Sequence, residues 1–276
     1  MKLDVCIAAY REKGLQKILN LGHPQIEGVR YIIAWQYAQD SPTGIPRELL
    51  EREDFVIIPN DTKGTGANRK IALEHASAPL ILISDDDVSY TEDQLNNLIS
   101  AFEARPECDF IIGNYHSSSN PYKYPSEEFD FRDQPKGFSF GGPVTAFRLN
   151  KVREKGVEFN PLFGVNSFFT NGEDTLFVYE MSKKGLKGRY IPLSLCNHEE
   201  ISTGKRAVKE KGFIRAKGAF MAIIYPATWP LRMITHTLRE ASGLKGRWEY
   251  CKAWLSGPLD LMKVKFQKND PSHYYK

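Results

Sequence analysis

Short runs of apolar residues recur along the chain from residue 3 to residue 195. They are rich in β-branched and aromatic side chains and end in polar or turn-forming residues, which is the pattern of buried strands in a sheet. On this basis we predict strands at residues 3–9, 29–35, 55–58, 79–84, 109–113, 143–148 and 190–195.

Segments with helical spacing lie between these runs. Thr91 and Gln94 have the spacing of a capping box, and apolar side chains follow at positions 95, 98, 99 and 102, which form one helical face. Further helices are predicted at 14–21, 67–76 and 172–184, with irregular helix from about 205. The alternation predicts an α/β fold with a mostly parallel sheet flanked by helices. The ligand crevice of such a sheet lies at the carboxyl ends of its strands.

Residues 114–142 have neither pattern and predict a long loop rich in Ser, Asn, Pro and Tyr. Loops of this length within a compact domain are usually functional or mobile.

Charge is distributed unevenly along the 276 residues, although the net charge is only +3. Residues 201–276 contain 15 Lys and Arg against 5 Asp and Glu, whereas residues 1–200 contain 22 against 29. We therefore predict a catalytic domain at 1–204 and a basic, aromatic-rich helical extension at 205–276. A basic extension suits phosphates, nucleic acid or an anionic membrane surface.

Cysteine usage and apolar run lengths indicate a cytoplasmic protein. The four cysteines are far apart and have no CxxC spacing, which favours reduced thiols over a disulfide framework or a zinc site. We expect no signal peptide, because Lys2 and Asp4 interrupt any N-terminal apolar run. The longest apolar stretch, Ala219–Leu231, is shorter than the roughly 20 residues that a membrane span needs.

Three adjacent carboxylates, Asp85, Asp86 and Asp87, follow the apolar run PLILIS. Their mutual repulsion favours a divalent cation such as Mg²⁺, which takes carboxylate and phosphate oxygens together. Strand alternation predicts Asp85 and Asp87 on one side, one for a ribose hydroxyl and the other for the metal. The alternative is a solvated turn before the next helix.

Glu173 and Asp174 open a predicted helix. Carboxylates in a first helical turn interact favourably with the helix dipole, and this structural role is one interpretation of the pair. The catalytic alternative is a general base that takes the proton from an attacking hydroxyl.

Glycine-rich and basic segments supply further candidates. Gly64 and Arg69 lie in KGTGANRK, and Gly141 and Gly142 end the long loop, where backbone can approach a ligand or form an ordinary turn. His198 is a candidate metal ligand or a structural histidine, and nearby Lys205 and Arg206 are candidates to neutralise a diphosphate.

Together, the motifs in their order resemble family 2 glycosyltransferases of the glycosyltransferase-A fold. The order is VCIAAYRE, GTGANRKIAL, ILISDDDV, FGGPVTAFR, NGEDTLF and YIPLSLCNHEEISTG, over about residues 3–205. The last two are similar to segments of bacterial surface-polysaccharide glycosyltransferases. The resemblance implies a metal-assisted, inverting transfer from a nucleotide-sugar, most simply a UDP-sugar with Mn²⁺ or Mg²⁺, to a saccharide or lipid-linked saccharide.

The resemblance also implies roles for single residues. Asp174 would be the catalytic base, with Glu173 near the acceptor. The metal ligands would be Asp87, Asp85 and His198. The donor would contact Ala8, Ala9, Tyr10, Arg11, Gln36, Gly64, Arg69, Asp85, Asp86, Gly141 and Gly142. Gln36 departs from the pattern, because the family usually has an acid there that pairs with uracil.

The extension has three of the four tryptophans, Trp229, Trp248 and Trp254, among basic residues. Interfacial aromatics and cations favour peripheral binding to the cytoplasmic membrane face, and the alternative is that these helices cover the catalytic domain. Two other functions stay open: a sugar nucleotidyltransferase, and a non-catalytic binder of nucleic acid or an anionic surface. No nucleic-acid partner is expected, because the acidic motifs would repel phosphate without a cation.

Overall fold

The computed structural model describes residues 2–36, 44–117, 124–198 and 210–266. The chain divides into two compact units. The first comprises Met1–Lys63, Ala67–Phe159 and Phe177–Glu200, and the second comprises Gly64–Gly66, Asn160–Leu176 and Ile201–Lys276. In this division two internal segments belong with the C-terminal residues, and the predicted boundary at residue 204 stays a prediction.

The first unit is built on an eight-stranded sheet with the order β3-β2-β1-β4-β7-β5-β8-β6. Parallel pairing joins β1 to β2 and β4, β2 to β3, and β5 to β8, while β7 and β6 pair antiparallel with their neighbours. The strands are β1 (Leu3–Tyr10), β2 (Val29–Gln36), β3 (Phe55–Asn60), β4 (Leu80–Asp85), β5 (Phe110–His116), β6 (Phe129–Asp130), β7 (Thr145–Arg148) and β8 (Gly188–Asn197).

Helices connect these strands, as the alternating pattern predicts. They are α1 (Arg11–Leu21), α2 (Arg47–Leu50), α3 (Thr65–His75), α4 (Glu92–Glu103), α5 (Leu149–Glu154) and α6 (Glu173–Lys183). The unit division places the first residues of α3 and α6 in the second unit. The mixed, mostly parallel sheet flanked by helices confirms the predicted fold class.

Helix α4 shows how local sequence determines a boundary. Thr91 Oγ1 accepts a hydrogen bond from the Gln94 backbone N–H at 3.2 Å, and Gln94 Oε1 accepts one from the Thr91 N–H at 2.9 Å. This confirms the capping box, which satisfies amides that a helix start leaves open. The apolar face that follows, Leu95 to Phe102, is buried in the main core.

The predicted loop at 114–142 is partly wrong. Strand β5 continues to His116, Phe129–Asp130 pairs with β8, and a short 3₁₀ helix covers Phe131–Asp133. The backbone of Phe129–Asp130 pairs with β8, a partner about sixty residues away in sequence. No local pattern in a Ser- and Pro-rich segment signals such pairing.

The second unit contains α7 (Lys211–Ile224), α8 (Trp229–Glu240) and α9 (Gly243–Phe266). One small apolar cluster joins Phe163 and Phe169 to Phe220 of α7, and another surrounds the fully buried Trp254 of α9. Among the described residues, no helix is both long and apolar enough to cross a membrane.

Candidate active site

The carboxyl ends of four parallel strands meet at one edge of the first unit's sheet. Ala8 of β1 pairs with Asp85 of β4, Tyr10 pairs with Gln36 of β2, and Gln36 pairs with Asn60 of β3. Residues from distant motifs therefore lie side by side at the edge where open α/β sheets bind ligands.

Helix α3 is tied to this edge by Asn68. Its buried Nδ2 donates to the carbonyl oxygens of Ala9 at 3.2 Å and Ala34 at 2.9 Å, and its Oδ1 accepts from Asn60 at 3.0 Å. Asn68 therefore fixes the position of the next residue, Arg69. Sequence reasoning missed Asn68, although an amide beside a candidate arginine in a strand-to-helix connection was a usable signal.

Arg69 places a buried positive charge against the first carboxylate of the triplet. Its side chain is 97% buried, and its Nη2 donates to Asp85 Oδ1 at 2.9 Å. A guanidinium held in this way orients the carboxylate through a charge-assisted hydrogen bond. The structure thus brings together two predicted donor-site residues that are 16 positions apart.

Asp86 is held by β1 and α1. Its Oδ2 accepts a hydrogen bond from the Tyr10 backbone N–H at 3.1 Å. A Cβ on Gly14 would lie 2.5 Å from the same oxygen, so α1 approaches Asp86 this closely only because residue 14 is glycine. Lys17, one helical turn later, places its Nζ 4.0 Å from Asp86 Oδ1 and 3.9 Å from Asp87 Oδ2.

Lys17 and Gly14 are site residues that the sequence did not identify. Both lie on the helix that directly follows β1, three residues apart, so they share the helix face nearest the strand end. That spacing was the available signal, but it identifies no partner carboxylate.

Asp87 lies beside His198 at the end of β8. The distance from His198 Nε2 to Asp87 Oδ1 is 3.4 Å. The His198 backbone N–H donates to the His116 carbonyl at 2.9 Å, and its ring meets the Tyr115 ring edge to face, with centroids 5.5 Å apart. Burial raises the pKa of Asp87, but the hydrogen bond and charge of His198 and the charge of Lys17 outweigh burial and lower that pKa below its ordinary value.

The predicted strand alternation does not extend through the triplet. Strand β4 ends at Asp85, and Asp86 and Asp87 lie in the following turn. Each carboxylate therefore has one partner of its own, Arg69 for Asp85, the β1 end for Asp86 and His198 for Asp87, and Lys17 lies near both Asp86 and Asp87.

Asp87 and His198 could together supply two protein ligands to a divalent cation. Among the described residues, no cluster of three or more His, Cys, Asp and Glu could hold a metal ion. Asp87 and His198 offer a carboxylate and an imidazole on a partly exposed surface, a donor set that suits Mn²⁺ when substrate oxygens and water complete the coordination. Asp85 is instead engaged by Arg69.

Other predicted donor residues vary in exposure. Gln36 is only 4% exposed, and its Nε2 donates to Thr62 Oγ1 at 3.0 Å. Tyr10 and Arg11 are exposed, with the Arg11 guanidinium 5.1 Å from the centre of the Tyr10 ring. Ala9 is buried in β1 and Ala8 is half-buried.

Gly141 and Gly142 form a tight turn before β7. Gly142 is buried at the start of a 3₁₀ helix, Gly142–Val144, whereas Gly141 is exposed. The Gly141 carbonyl accepts a hydrogen bond from Thr145 Oγ1 at 3.3 Å. This contact belongs to a local turn, and the predicted sugar contact stays a prediction.

Glu173 and Asp174 belong to the second unit, together with Gly64. They begin α6 after Gly172, whose φ of 100° and close approach to the Phe220 ring exclude a larger residue. Glu173 is 7% exposed and Asp174 is half-buried. Lys205 and Arg206 lie outside the described residues, so their predicted diphosphate role stays a prediction.

The family model for glycosyl transferase family 2 matches residues 4–162, more than half of the chain. The chain belongs to glycosyl transferase family 2. The matched segment contains Arg69 and the Asp85–Asp87 triplet, and it ends before Asp174 and His198.

Solved structures show the same fold at low sequence identity. Staphylococcus aureus TarS, residues 1–349, in complex with UDP-GlcNAc is 13% identical, with a TM-score of 0.65 over 92% of this chain and 79% of that chain. The mannosyltransferase PcManGT from Pyrobaculum calidifontis, in complex with GDP-Man and Mn²⁺, is 14% identical, with a TM-score of 0.59 over 99% of this chain and 77% of that chain. No curated protein matches the sequence.

The family assignment makes the protein a glycosyltransferase of the glycosyltransferase-A fold. It decides against the two other functions that the sequence left open, a sugar nucleotidyltransferase and a non-catalytic binder. It leaves the donor, the acceptor and the metal to be proposed from the site.

Proposed function

We propose that this enzyme transfers a sugar from a UDP-sugar to a hydroxyl of a saccharide, either lipid-linked or part of a growing surface polysaccharide. The observation that carries the proposal is the arrangement of Asp85, Asp86 and Asp87 at the carboxyl edge of the sheet, where each carboxylate has its own contacts. Open α/β sheets bind their ligands at this edge.

The donor nucleotide lies along the ends of β1, β2 and β4. Asp85, oriented by Arg69 at 2.9 Å, accepts a hydrogen bond from a ribose hydroxyl. Gln36 lies in register with Tyr10 and pairs with the base, since an amide offers both a donor and an acceptor. The exposed side chains of Tyr10 and Arg11 border the nucleotide.

Asp87 and His198 would hold the divalent cation. When bound, the cation neutralises charge on the leaving diphosphate. Lys17 supplies further positive charge beside Asp86 and Asp87. Lys205 and Arg206 are proposed to add to this charge at the diphosphate.

Asp174 is the proposed catalytic base. It removes the proton from the acceptor hydroxyl as that oxygen forms a bond to the anomeric carbon. The bond from that carbon to the diphosphate oxygen breaks on the opposite side, and the diphosphate leaves with the electron pair, so the configuration inverts. The greater exposure of Asp174 than of Glu173 supports this assignment, because the base must reach the acceptor.

The experiment separates donor binding from proton transfer. UDP release and sugar transfer are measured with Mn²⁺ for wild type, Asp87→Asn and Asp174→Asn, and the exposed Asp93→Asn is the matched control. We expect Asp174→Asn to bind UDP normally and to lose about 10³-fold in transfer. Asp87→Asn should lose both metal-dependent binding and transfer, and Asp93→Asn should match wild type.

Two results would contradict parts of this proposal. Transfer by Asp174→Asn at the wild-type rate would place the base elsewhere. Use of a GDP-sugar in preference to every UDP-sugar would keep the transferase but overturn the assignment of the base-binding residues.

A further inference from the structure

Exposed apolar side chains are concentrated on two helices of the second unit. Of the twelve large hydrophobic side chains that are exposed among the described residues, eight lie on α8 and α9. Leu244 is 89% exposed and Trp248 is 68% exposed. The eight residues are Leu231, Ile234, Leu238, Leu244, Trp248, Leu255, Leu259 and Met262.

These side chains form a stripe on each helix. At 100° per residue, the five on α9 fall within about 60° of the helix circumference, along about 27 Å of its length. The three on α8 also fall within about 60°. We call these two surfaces the α9 stripe and the α8 stripe.

The α9 stripe is not the face that α9 uses for packing. The buried residues Tyr250, Ala253, Trp254 and Leu261 lie about 140° around the helix from the stripe. Helices α8 and α9 contact each other through Thr237 Oγ1 and Cys251 Sγ, which are 3.3 Å apart, and through stacked rings of His236 and Trp254. The second unit therefore packs its own core while both stripes stay exposed.

Basic residues border the α9 stripe. Lys245 and Lys252 are exposed about 80–100° to one side of Leu244, and Arg247 is exposed about 60° to the other. The acids of α9 lie farther around and pair with α7: Glu249 contacts Lys211 at 3.2 Å and Asp260 contacts Arg215 at 2.8 Å. Residues 210–266 contain ten Lys and Arg but only four Asp and Glu.

We propose that α8 and α9 dock this protein on an anionic lipid surface, with the two stripes in the acyl–headgroup boundary and the basic borders against the headgroups. An apolar stripe bordered by cations is the pattern of helices that lie in a membrane interface. A second copy of the chain would bring basic border against basic border. Nucleic acid would engage the cations but leave the stripes in water. The surface lies in the second unit and does not depend on sugar transfer.

The test is co-sedimentation of the full chain with vesicles. Wild type should bind vesicles that contain about 30% anionic lipid at low salt, and it should bind neutral vesicles poorly. Leu244→Gln with Trp248→Gln should lower the bound fraction at least about fivefold, because apolar burial is lost. The control Leu50→Gln removes an apolar side chain that is 62% exposed in the first unit and should bind as wild type does.

A charge variant tests the borders separately. Lys245→Gln, Arg247→Gln and Lys252→Gln together should lower binding to anionic vesicles and remove its salt dependence. The matched control is Lys136→Gln, an exposed lysine of the first unit. Circular dichroism verifies that all variants fold.

Two outcomes would overturn the proposal. One is wild-type protein that stays in solution with anionic vesicles at low salt. The other is concentration-dependent self-association that the Leu244 and Trp248 substitutions abolish, which would make the stripes a contact between copies. Vesicle binding and nucleotide binding are separate readouts, so failure here leaves the proposed function intact.

Discussion

The two units use ionisable side chains in opposite ways. In the first unit, the Asp85–Asp87 triplet is only partly exposed, and its contacts come from α1, α3 and the end of β8. In the second, Glu249 and Asp260 pair with α7 and leave a basic, apolar outer surface on α9. The first arrangement depends on strand register across the sheet, whereas the second depends on helix periodicity and on the packing of α9 against α7.

This difference predicts where substitutions act. A residue that is buried and held by remote elements should affect the site or global stability strongly. A residue on a helix surface should affect mainly what that surface binds. Four predictions follow the comparison from the largest expected free-energy effect to the smallest.

The largest effect concerns acid stability and His23. His23 packs against Tyr31 and Phe55, and neither ring nitrogen has a hydrogen-bond partner among the described residues. Burial, aided by the charge of Arg52, lowers its pKa to about 4. The unfolded chain therefore binds a proton at His23 more readily than the folded chain does. The free energy of unfolding is fully retained above pH 6.5 and falls as the pH drops from 6.5 toward 4.

His23→Phe keeps the aromatic packing and removes the titrating group. It should therefore reduce the acid-induced loss in the free energy of unfolding by up to about 3 kcal/mol. Denaturant unfolding at neutral and acidic pH measures this difference. The counterpart in the second unit is His236, whose pKa burial also lowers to about 4. Because His236 is half-buried, His236→Gln should change the acid sensitivity less. Equal effects of the two substitutions would contradict the comparison.

The second prediction compares two arginines. Arg69→Met should weaken UDP-sugar binding about 100-fold, because Asp85 loses the cation that orients it. Arg215→Met removes a similar ion pair, with Asp260, from the second unit and should leave donor affinity within about twofold. Titration calorimetry measures both, and a donor affinity that Arg69→Met leaves unchanged would remove Arg69 from the donor site.

The third prediction concerns metal affinity and Lys17. The Lys17 ammonium lies within 4.0 Å of carboxylate oxygens of Asp86 and Asp87, so it opposes a cation at that position. Lys17→Met should tighten Mn²⁺ binding about tenfold in the absence of nucleotide, as measured by electron paramagnetic resonance. Lys211→Met, which breaks an ion pair in the second unit, is the control and should leave it unchanged. Weaker Mn²⁺ binding by Lys17→Met would show that the lysine supports the metal site.

The smallest effect concerns helix caps. Thr91→Ala removes the side-chain oxygen that accepts from the Gln94 backbone N–H, and it should lower the free energy of unfolding by about 1 kcal/mol. Thr228 precedes α8 but its side chain caps no backbone amide, so Thr228→Ala should cost less than about 0.5 kcal/mol. Denaturant unfolding of both variants at one pH measures the difference, and a larger loss for Thr228→Ala would reverse the expected order.

Features that depend on neighbouring residues could be predicted from the sequence. The α4 capping box and its buried face are local, and so is the basic, apolar character of the extension. The order of the motifs was also enough to identify the fold and family. The candidate residues Arg69, Asp85 and Asp87 lie at the predicted edge because parallel strands align their carboxyl ends.

Features that depend on register could not be predicted in this way. The contact of Lys17 with Asp86 spans 69 positions and exists because β1 and β4 pair in one register. The pairing of Phe129–Asp130 with β8 is equally remote. Two internal segments join the second unit for the same reason: their packing partners lie far along the chain.

The central claim is that the carboxylate triplet of the first unit is a metal-dependent nucleotide site. The most direct measurement is the thermal shift of wild type and Asp87→Asn with UDP or GDP, with and without Mn²⁺. The account predicts that UDP raises the melting temperature of wild type only when Mn²⁺ is present, with about 2.7 kcal/mol of stabilisation at 100 times the Kd, and that Asp87→Asn abolishes the shift. An equal UDP shift in both proteins, or no shift by either nucleotide under any metal condition, would contradict it.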